Sequence, residues 1–308
     1  MKILIATEKP FAKSAVESMR AMIEHEEYDL RLLENYTDKS ELLEAVSKAD
    51  ALIVRSDKIT ADVIAAAPNL KIIVRAGAGY DNIDLDAASE RNIVVMNTPG
   101  QNANAVAELV MGLAVYAARN MFNGKSGSEL KGKKLGIYGF GNIGRLVAKL
   151  AQGYGMEVSA YDAYVKKSDI SDAHVTPIYS PTDLFKENQY VSLHIPATPD
   201  NLKCVDWPLL KSMPQGATLI NTARKEIIDE TAIKRALRER DDFKYVSDIA
   251  PDCADELKEA FPARIYATPK KMGAQTAEAN FNAGVAAARQ VINFIQNDDT
   301  TFQVNKKK

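Results

Sequence analysis

Short apolar runs rich in β-branched residues recur along the chain, and each is followed by a segment whose apolar positions repeat every three to four residues. KILIA precedes such a helix-period segment over residues 11–24, and the further runs are ALIVRS, KIIVRAG, NIVVMN, KLGIYG, EVSAYD, YVSLHIP, ATLINTA and KYVSDIA. A strand with one wet face alternates in polarity, whereas a strand covered on both faces reads as continuously apolar. The pattern therefore predicts parallel sheets sandwiched by helices, an α/β protein of the doubly wound kind.

Two places interrupt the alternation. In MNTPGQNANAVAELVMGL, Pro99 and Gly100 break the chain before a long helix whose Val106, Leu109, Val110 and Leu113 fall on one face. In ATPKKMGAQTAEAN, residues 267–280, two adjacent lysines precede another helix, with Phe281, Val285, Ala288, Ile292 and Ile295 in phase. If the chain crosses between domains at both places, one domain is discontinuous and built from both ends.

Composition narrows the partners. At 308 residues, 46% hydrophobic and 26% charged, the chain can bury the cores of two domains. A net charge of −2 gives no reason to expect nucleic acid or a membrane surface as partner, and the basic tail Lys306, Lys307 and Lys308 reads as solvated. Cys204 and Cys253 lie in no C-x-x-C pattern, so neither a disulfide framework nor a thiolate metal site is expected, and a reducing cytoplasm fits. The start, MKILIATEKP, has too short an apolar run for a signal peptide, and LVMGLAVYAA is about half a membrane span, so neither export nor anchoring is expected.

The clearest chemistry lies in KLGIYGFGNIGRLVAKLAQGYGMEVSAYD. Gly139, Gly141 and Gly144 have G-x-G-x-x-G spacing, which carries weight here because it follows a strand, opens an amphipathic helix and is followed by a second strand ending in Asp162. Gly139 makes the tight turn, Gly141 lets the backbone approach a pyrophosphate, Gly144 lets helix and strand pack, and the helix N-terminus offers unpaired N–H groups. Asp162 would accept hydrogen bonds from both ribose hydroxyls and repel a 2′-phosphate, favouring NAD over NADP, although Lys166 and Lys167 stand nearby.

Other segments suit an anionic substrate. In RAGAGYDNIDL, Gly77 and Gly79 follow a strand and can form a small carboxylate nest or simply a turn. In NTARKEIID, Arg224 stands just past a strand, at the sheet edge where open α/β folds bind ligands, and its planar fork suits a carboxylate and the carbonyl beside it. In VRSDKI, Arg55 and Lys58 follow another strand and suit a second anion such as a phosphate, or ordinary solvated charge.

Taken together, RAGAGYDNID, NTPGQNANAVAE, GFGNIG with Asp162, VSLHIPATPDN, NTARKEIID and the TP…MGAQT segment resemble the D-2-hydroxyacid dehydrogenase family, in particular its short D-3-phosphoglycerate dehydrogenases. The resemblance covers almost the whole chain. It implies a Rossmann NAD-binding domain over residues 98–273, inserted in a flavodoxin-like substrate domain formed by 1–97 and 274–308, without the regulatory extension of longer relatives. It further implies a homodimer through the long helix after Pro99. By position, Arg224 matches the arginine that binds the substrate carboxylate and carbonyl; Gly77, Ala78 and Gly79 match the backbone carboxylate nest; and Arg55 matches the residue that meets the substrate phosphate. Asn142 and Ile143 would offer N–H groups to the pyrophosphate, His194, Pro196 and Thr198 would line the adenosine side, and Thr222, Ala223 and Asp248 would lie near the nicotinamide.

Two departures concern proton transfer. The family has a histidine after Thr-Pro, where this chain has Thr268-Pro269-Lys270-Lys271-Met272-Gly273. Counting from the proline selects Lys270, while counting back from Met-Gly-Ala-Gln selects Lys271, the preferred reading because that segment begins the return crossover. The family's glutamate, five residues after the position of Asp248, falls on Cys253, with Asp252 and Asp255 as neighbours. The two losses agree, because an ammonium has no tautomer for a carboxylate to fix. A lysine acts as a base only if burial or nearby positive charge pulls its pKa down from about 10.4. The implied reaction is NAD-dependent oxidation of 3-phospho-D-glycerate. The alternatives are the same chemistry on glyoxylate or hydroxypyruvate, or a non-catalytic NAD-sensing protein.

Overall fold

The computed structural model describes residues 1–306; of the basic tail, Lys307 and Lys308 lie outside the described residues. The chain divides into two compact units, one of residues 1–102 with 276–308 and the other of residues 103–275.

The first unit is built on five parallel strands, β1 (Lys2–Thr7), β2 (Asp29–Glu34), β3 (Ala51–Val54), β4 (Ile72–Arg75) and β5 (Val94–Asn97), in the order β2-β1-β3-β4-β5. That order is the flavodoxin-like one. Side chains alternate across the pleat, so Ile3, Ile5, Ile53 and Val74 enter one core, with Met19 and Ile23 of the helix Lys13–His25 and Ala287 and Val291 of the helix Ala277–Asn297. Leu4, Leu52, Val54 and Ile73 enter the core on the opposite face. The terminal residues return to this sheet: Val304 N–H donates to Val95 O at 2.8 Å, and the Asn305 side chain accepts from Val95 N–H and donates to Ile93 O.

The second unit carries seven parallel strands: β6 (Lys134–Tyr138), β7 (Glu157–Tyr161), β8 (Thr176–Pro177), β9 (Tyr190–Leu193), β10 (Thr218–Asn221), β11 (Lys244–Ser247) and β12 (Ile265–Ala267). Their order is β12-β11-β10-β9-β6-β7-β8, the Rossmann arrangement with one further strand, and the order reverses between β6 and β9. The long helix Ala103–Ala118 buries Val106, Val110 and Leu113, with Leu109 half-buried beside them. Among the described residues no helix is long and apolar enough to cross a membrane.

Three strands differ from the sequence reading. DLRLLE forms the edge strand β2, where Asp29 and Arg31 point to solvent and break the continuous apolar pattern. β8 and β12 have two and three residues, too short to leave a periodic signal. The final helix buries Ala288 and Ile292 as expected, but its buried face is shifted: Phe281, Val285 and Ile295 are half-buried, while the small residues Ala279, Ala283 and Ala287 are buried. Gly284 shows why, since a Cβ there would lie 3.2 Å from both Met19 Sδ and Phe11 Cε1, an approach that large residues would prevent.

Candidate active site

In the second unit the glycine fingerprint joins β6 to the helix Asn142–Gly153, and its glycines meet different constraints. Gly139 has φ +100°, and a Cβ there would lie 2.9 Å from the carbonyl carbon of His194. A Cβ on Gly144 would lie 2.2 Å from Gly139 O, so only glycine lets the helix pack on the turn. Gly141 differs: it is the N-cap, makes no side-chain cap, and a Cβ on it would meet no protein atom within 4 Å. Open space over uncapped helix N–H groups, including those of Asn142 and Ile143, is what a pyrophosphate requires. These residues therefore fit a dinucleotide.

Asp162 follows β7. Its Oδ2 accepts from Phe140 N–H at 2.7 Å, and its Oδ1 accepts from the N–H groups of Tyr164 and Val165 at 2.8 and 3.0 Å. The carboxylate is thus fixed against the glycine turn, and its four acceptor sites leave room for a ribose hydroxyl. Lys167 Nζ lies 3.3 Å from Asp162 O and 4.9 and 5.6 Å from the ring centroids of Tyr161 and Tyr179, so its charge is held over two aromatic faces. His194 follows β9: its N–H donates to Tyr138 O, Nε2 lies 2.9 Å from Ser192 Oγ, and Nδ1 is buried without a partner. Burial pushes its pKa down to about 3, so the ring is neutral. Pro196 and Thr198 are exposed and joined through Asn201, which donates from its side chain to Pro196 O and from its N–H to Thr198 O.

Arg224 ends the turn after β10. Fully buried Asn221, which the sequence reading did not single out, accepts from Ala223 N–H at 3.0 Å and donates to Arg224 O at 2.9 Å, clasping the turn from inside. Thr222 is buried there, with its hydroxyl unpaired.

The lysine pair is held from β11. Asp248 is 1% exposed, and its Oδ1 accepts from Met272 N–H at 2.7 Å while its Oδ2 accepts from Gly273 N–H at 2.8 Å. Thr268 Oγ1 lies 2.9 Å from Asp248 Oδ1 and 2.8 Å from Lys270 O. Both Lys270 and Lys271 are exposed. Of the other two carboxylates considered for this region, Asp252 is ion-paired with Lys225, and Asp255 lies exposed in the first turn of the helix Ala254–Ala260.

In the first unit, Arg55 follows β3. Its Nη1 donates to Lys9 O and Pro10 O at 3.1 and 3.0 Å, and its Nη2 donates to the Asn280 side chain. Burial lowers its pKa, with Asp57 opposing that shift. Asp57 is buried beside it and accepts from Glu8 N–H, Tyr36 Oη and Arg55 N–H. Gly77 has φ +149°, and a Cβ there would fall 1.4 Å from Arg75 Nη1, so the Arg75 guanidinium lies directly over this glycine. The carbonyls of Gly77 and Ala78 accept from Thr98 N–H and the Asn97 side chain, which turns the N–H groups of Ala78 and Gly79 the other way. Arg75, the last residue of β4, was missed in sequence because it reads as an ordinary strand end.

A Rossmann sheet with this fingerprint, in one chain with a flavodoxin-like sheet, defines the class as an NAD(P)-dependent dehydrogenase of 2-hydroxy acids. The model of the "D-isomer specific 2-hydroxyacid dehydrogenase, catalytic domain" family matches residues 4–305, and the chain belongs to that family. It is 37% identical to a hydroxypyruvate reductase of Thermotoga maritima over 282 residues, 85% of this chain and 90% of that protein. It is also 37% identical to a D-3-phosphoglycerate dehydrogenase of Methanocaldococcus jannaschii over 275 residues, 82% of this chain but 51% of that protein. The chain thus spans about half the length of that relative. Among solved structures, the NAD+-bound 3-phosphoglycerate dehydrogenase of Entamoeba histolytica superposes with a TM-score of 0.91 at 44% identity, covering 100% of this chain and 99% of that one.

Proposed function

We propose that the enzyme oxidises 3-phospho-D-glycerate at C2 to 3-phosphohydroxypyruvate, the first step of phosphorylated serine biosynthesis, with NAD as cofactor. The observation that carries this reading is the pairing of Arg55 and Arg75 at the carboxyl ends of adjacent strands, with Arg75 Nε 2.9 Å from Arg55 O. Two permanently charged residues at neighbouring strand ends suit a dianion such as a phosphate better than one alone would. Similarity to the Entamoeba enzyme supports the same substrate. The Thermotoga relative supports a second reading, reduction of hydroxypyruvate or glyoxylate.

Bound NAD+ supplies the hydride acceptor. Asp162 would take one ribose hydroxyl at its remaining acceptor site, and the N–H groups of Asn142 and Ile143 would take the pyrophosphate. In the first unit, Gly77, Ala78 and Gly79 would offer N–H groups to a carboxylate, and in the second unit Arg224 would bind a carboxylate and polarise the oxygen beside it. Lys271 would take the C2 hydroxyl proton as hydride leaves the same carbon and return it in the reverse direction; it is exposed in the cofactor-free protein, so cover by the bound cofactor or the charge of Arg224 would have to favour its neutral form. The same reading takes the enzyme as a cytoplasmic homodimer paired through the helix Ala103–Ala118.

Steady-state rates decide among substrates. The proposal expects kcat/KM for 3-phosphoglycerate with NAD to exceed that for glycerate by about 100-fold or more, the worth of a charge-assisted contact to phosphate. Equal values, or faster reduction of glyoxylate, would move the assignment to the second reading. Lys271→Ala is expected to abolish turnover while Lys270→Ala retains it.

A further inference from the structure

The segment carrying the two lysines is short, exposed and outside regular secondary structure, yet its backbone is pinned at defined points. The peptide before Lys271 has its carbonyl, Lys270 O, 2.8 Å from Thr268 Oγ1. The peptide after Lys271 has its N–H, on Met272, 2.7 Å from Asp248 Oδ1. One residue further, Gly273 N–H reaches Asp248 Oδ2 at 2.8 Å, and a Cβ on Gly273 would lie 2.9 Å from that same oxygen. Thr268 Oγ1 also lies 2.8 and 2.9 Å from Asp248 O and Oδ1, so its single proton is shared among three acceptors arranged around it.

Both peptide bonds that flank Lys271 are therefore fixed to one buried carboxylate and its hydroxyl partner, whereas Lys270 has only its carbonyl held. Asp248 sits at the end of β11 with 1% exposure, so the clamp is mounted on the rigid sheet. A buried carboxylate accepting backbone N–H groups is worth more than a neutral acceptor, and leaving those N–H groups unpaired is costly.

We infer that Asp248 and Thr268 form a clamp that holds the backbone on either side of Lys271, which makes Asp248 a positioning residue for proton transfer in addition to its expected place near the nicotinamide. The inference rests on the reading of Lys271 as the acid–base group. A displacement of about 1 Å in such a group costs on the order of 100-fold in rate, and loss of a supporting contact about 10- to 100-fold.

The test uses Thr268→Val, which removes the hydroxyl without touching any group assigned to cofactor, together with Asp248→Asn and Gly273→Ala. Turnover is measured with NAD and 3-phosphoglycerate, and trypsin cleavage after Lys270 and Lys271 is followed in the cofactor-free protein, where opening of the segment sets the rate. Thr268→Val is expected to lower kcat about tenfold or more with the substrate KM within about twofold, and to raise cleavage about tenfold, while Thr268→Ser restores both. Wild-type kcat and wild-type cleavage in both Thr268→Val and Asp248→Asn would overturn the clamp. If instead the clamp variants open the segment while Lys271→Ala keeps full turnover, the clamp stands as structure and the acid–base reading of Lys271 fails.

Discussion

Arg75 donates from Nε to the main-chain carbonyl of Arg55 at 2.9 Å, so the side chain of one strand end braces the backbone of the next. With three of the five Arg55 donors on Lys9, Pro10 and Asn280, Arg55 is held in place as well. Arg75→Lys loses the fork and is expected to lower kcat/KM for 3-phosphoglycerate by about 100-fold, or about 3 kcal/mol. The value for glycerate should change by less than about threefold. Equal losses for the two substrates would show that Arg75 does not read the phosphate.

The glycines of the fingerprint separate folding from binding. Gly144→Ala forces a methyl to within 2.2 Å of Gly139 O and is expected to destabilise the protein by about 2 kcal/mol or more. Gly141→Ala meets no protein atom, so its melting temperature should stay within about 2 °C of wild type while NAD affinity falls at least about tenfold. Calorimetry and NAD titration of both variants check the contrast.

Asp162 holds Phe140 N–H, and the proposed function gives it the ribose as well. Asp162→Ala is expected to weaken NAD about tenfold while weakening NADP less, raising the NADP/NAD ratio of kcat/KM. An unchanged ratio would show that Asp162 only supports the turn.

The fingerprint, Asp162 and most strands were legible because each is a local signal: a glycine spacing, a continuous apolar run, an acid at a strand end. β2 was hidden by Asp29 and Arg31 on an exposed edge, and β12 by having three residues. Arg75 and Asn221 were hidden for another reason. Their work consists of hydrogen bonds to loops, and nothing in a strand-terminal arginine or a buried asparagine announces the partner. The Asp248 contacts span 20 to 25 residues and form only once β11 lies beside the loop.

His194 gives a dependence on pH. Burial holds its folded pKa near 3 against an ordinary value of about 6.5, so between these values the unfolded chain takes up a proton that the folded ring refuses. The stability is fully present above about pH 6.5 and is lost as pH falls toward 3; by pH 5 the loss is about 2 kcal/mol. Urea midpoints at pH 7 and pH 5 should differ more in wild type than in His194→Gln, and equal differences would count against the assignment.

The discontinuity of the first unit affects its synthesis. Residues 103–275, which complete the Rossmann sheet, are all made before Thr276, whereas the five-stranded sheet waits for the helix Ala277–Asn297 to cover Ile3, Ile5 and Val74 and for Val304 and Asn305 to reach β5. During translation the inserted unit is therefore first to be complete. Until residues 277–305 leave the ribosome, the first hundred or so residues keep an apolar sheet face uncovered, and that is the interval in which a chaperone has most to protect.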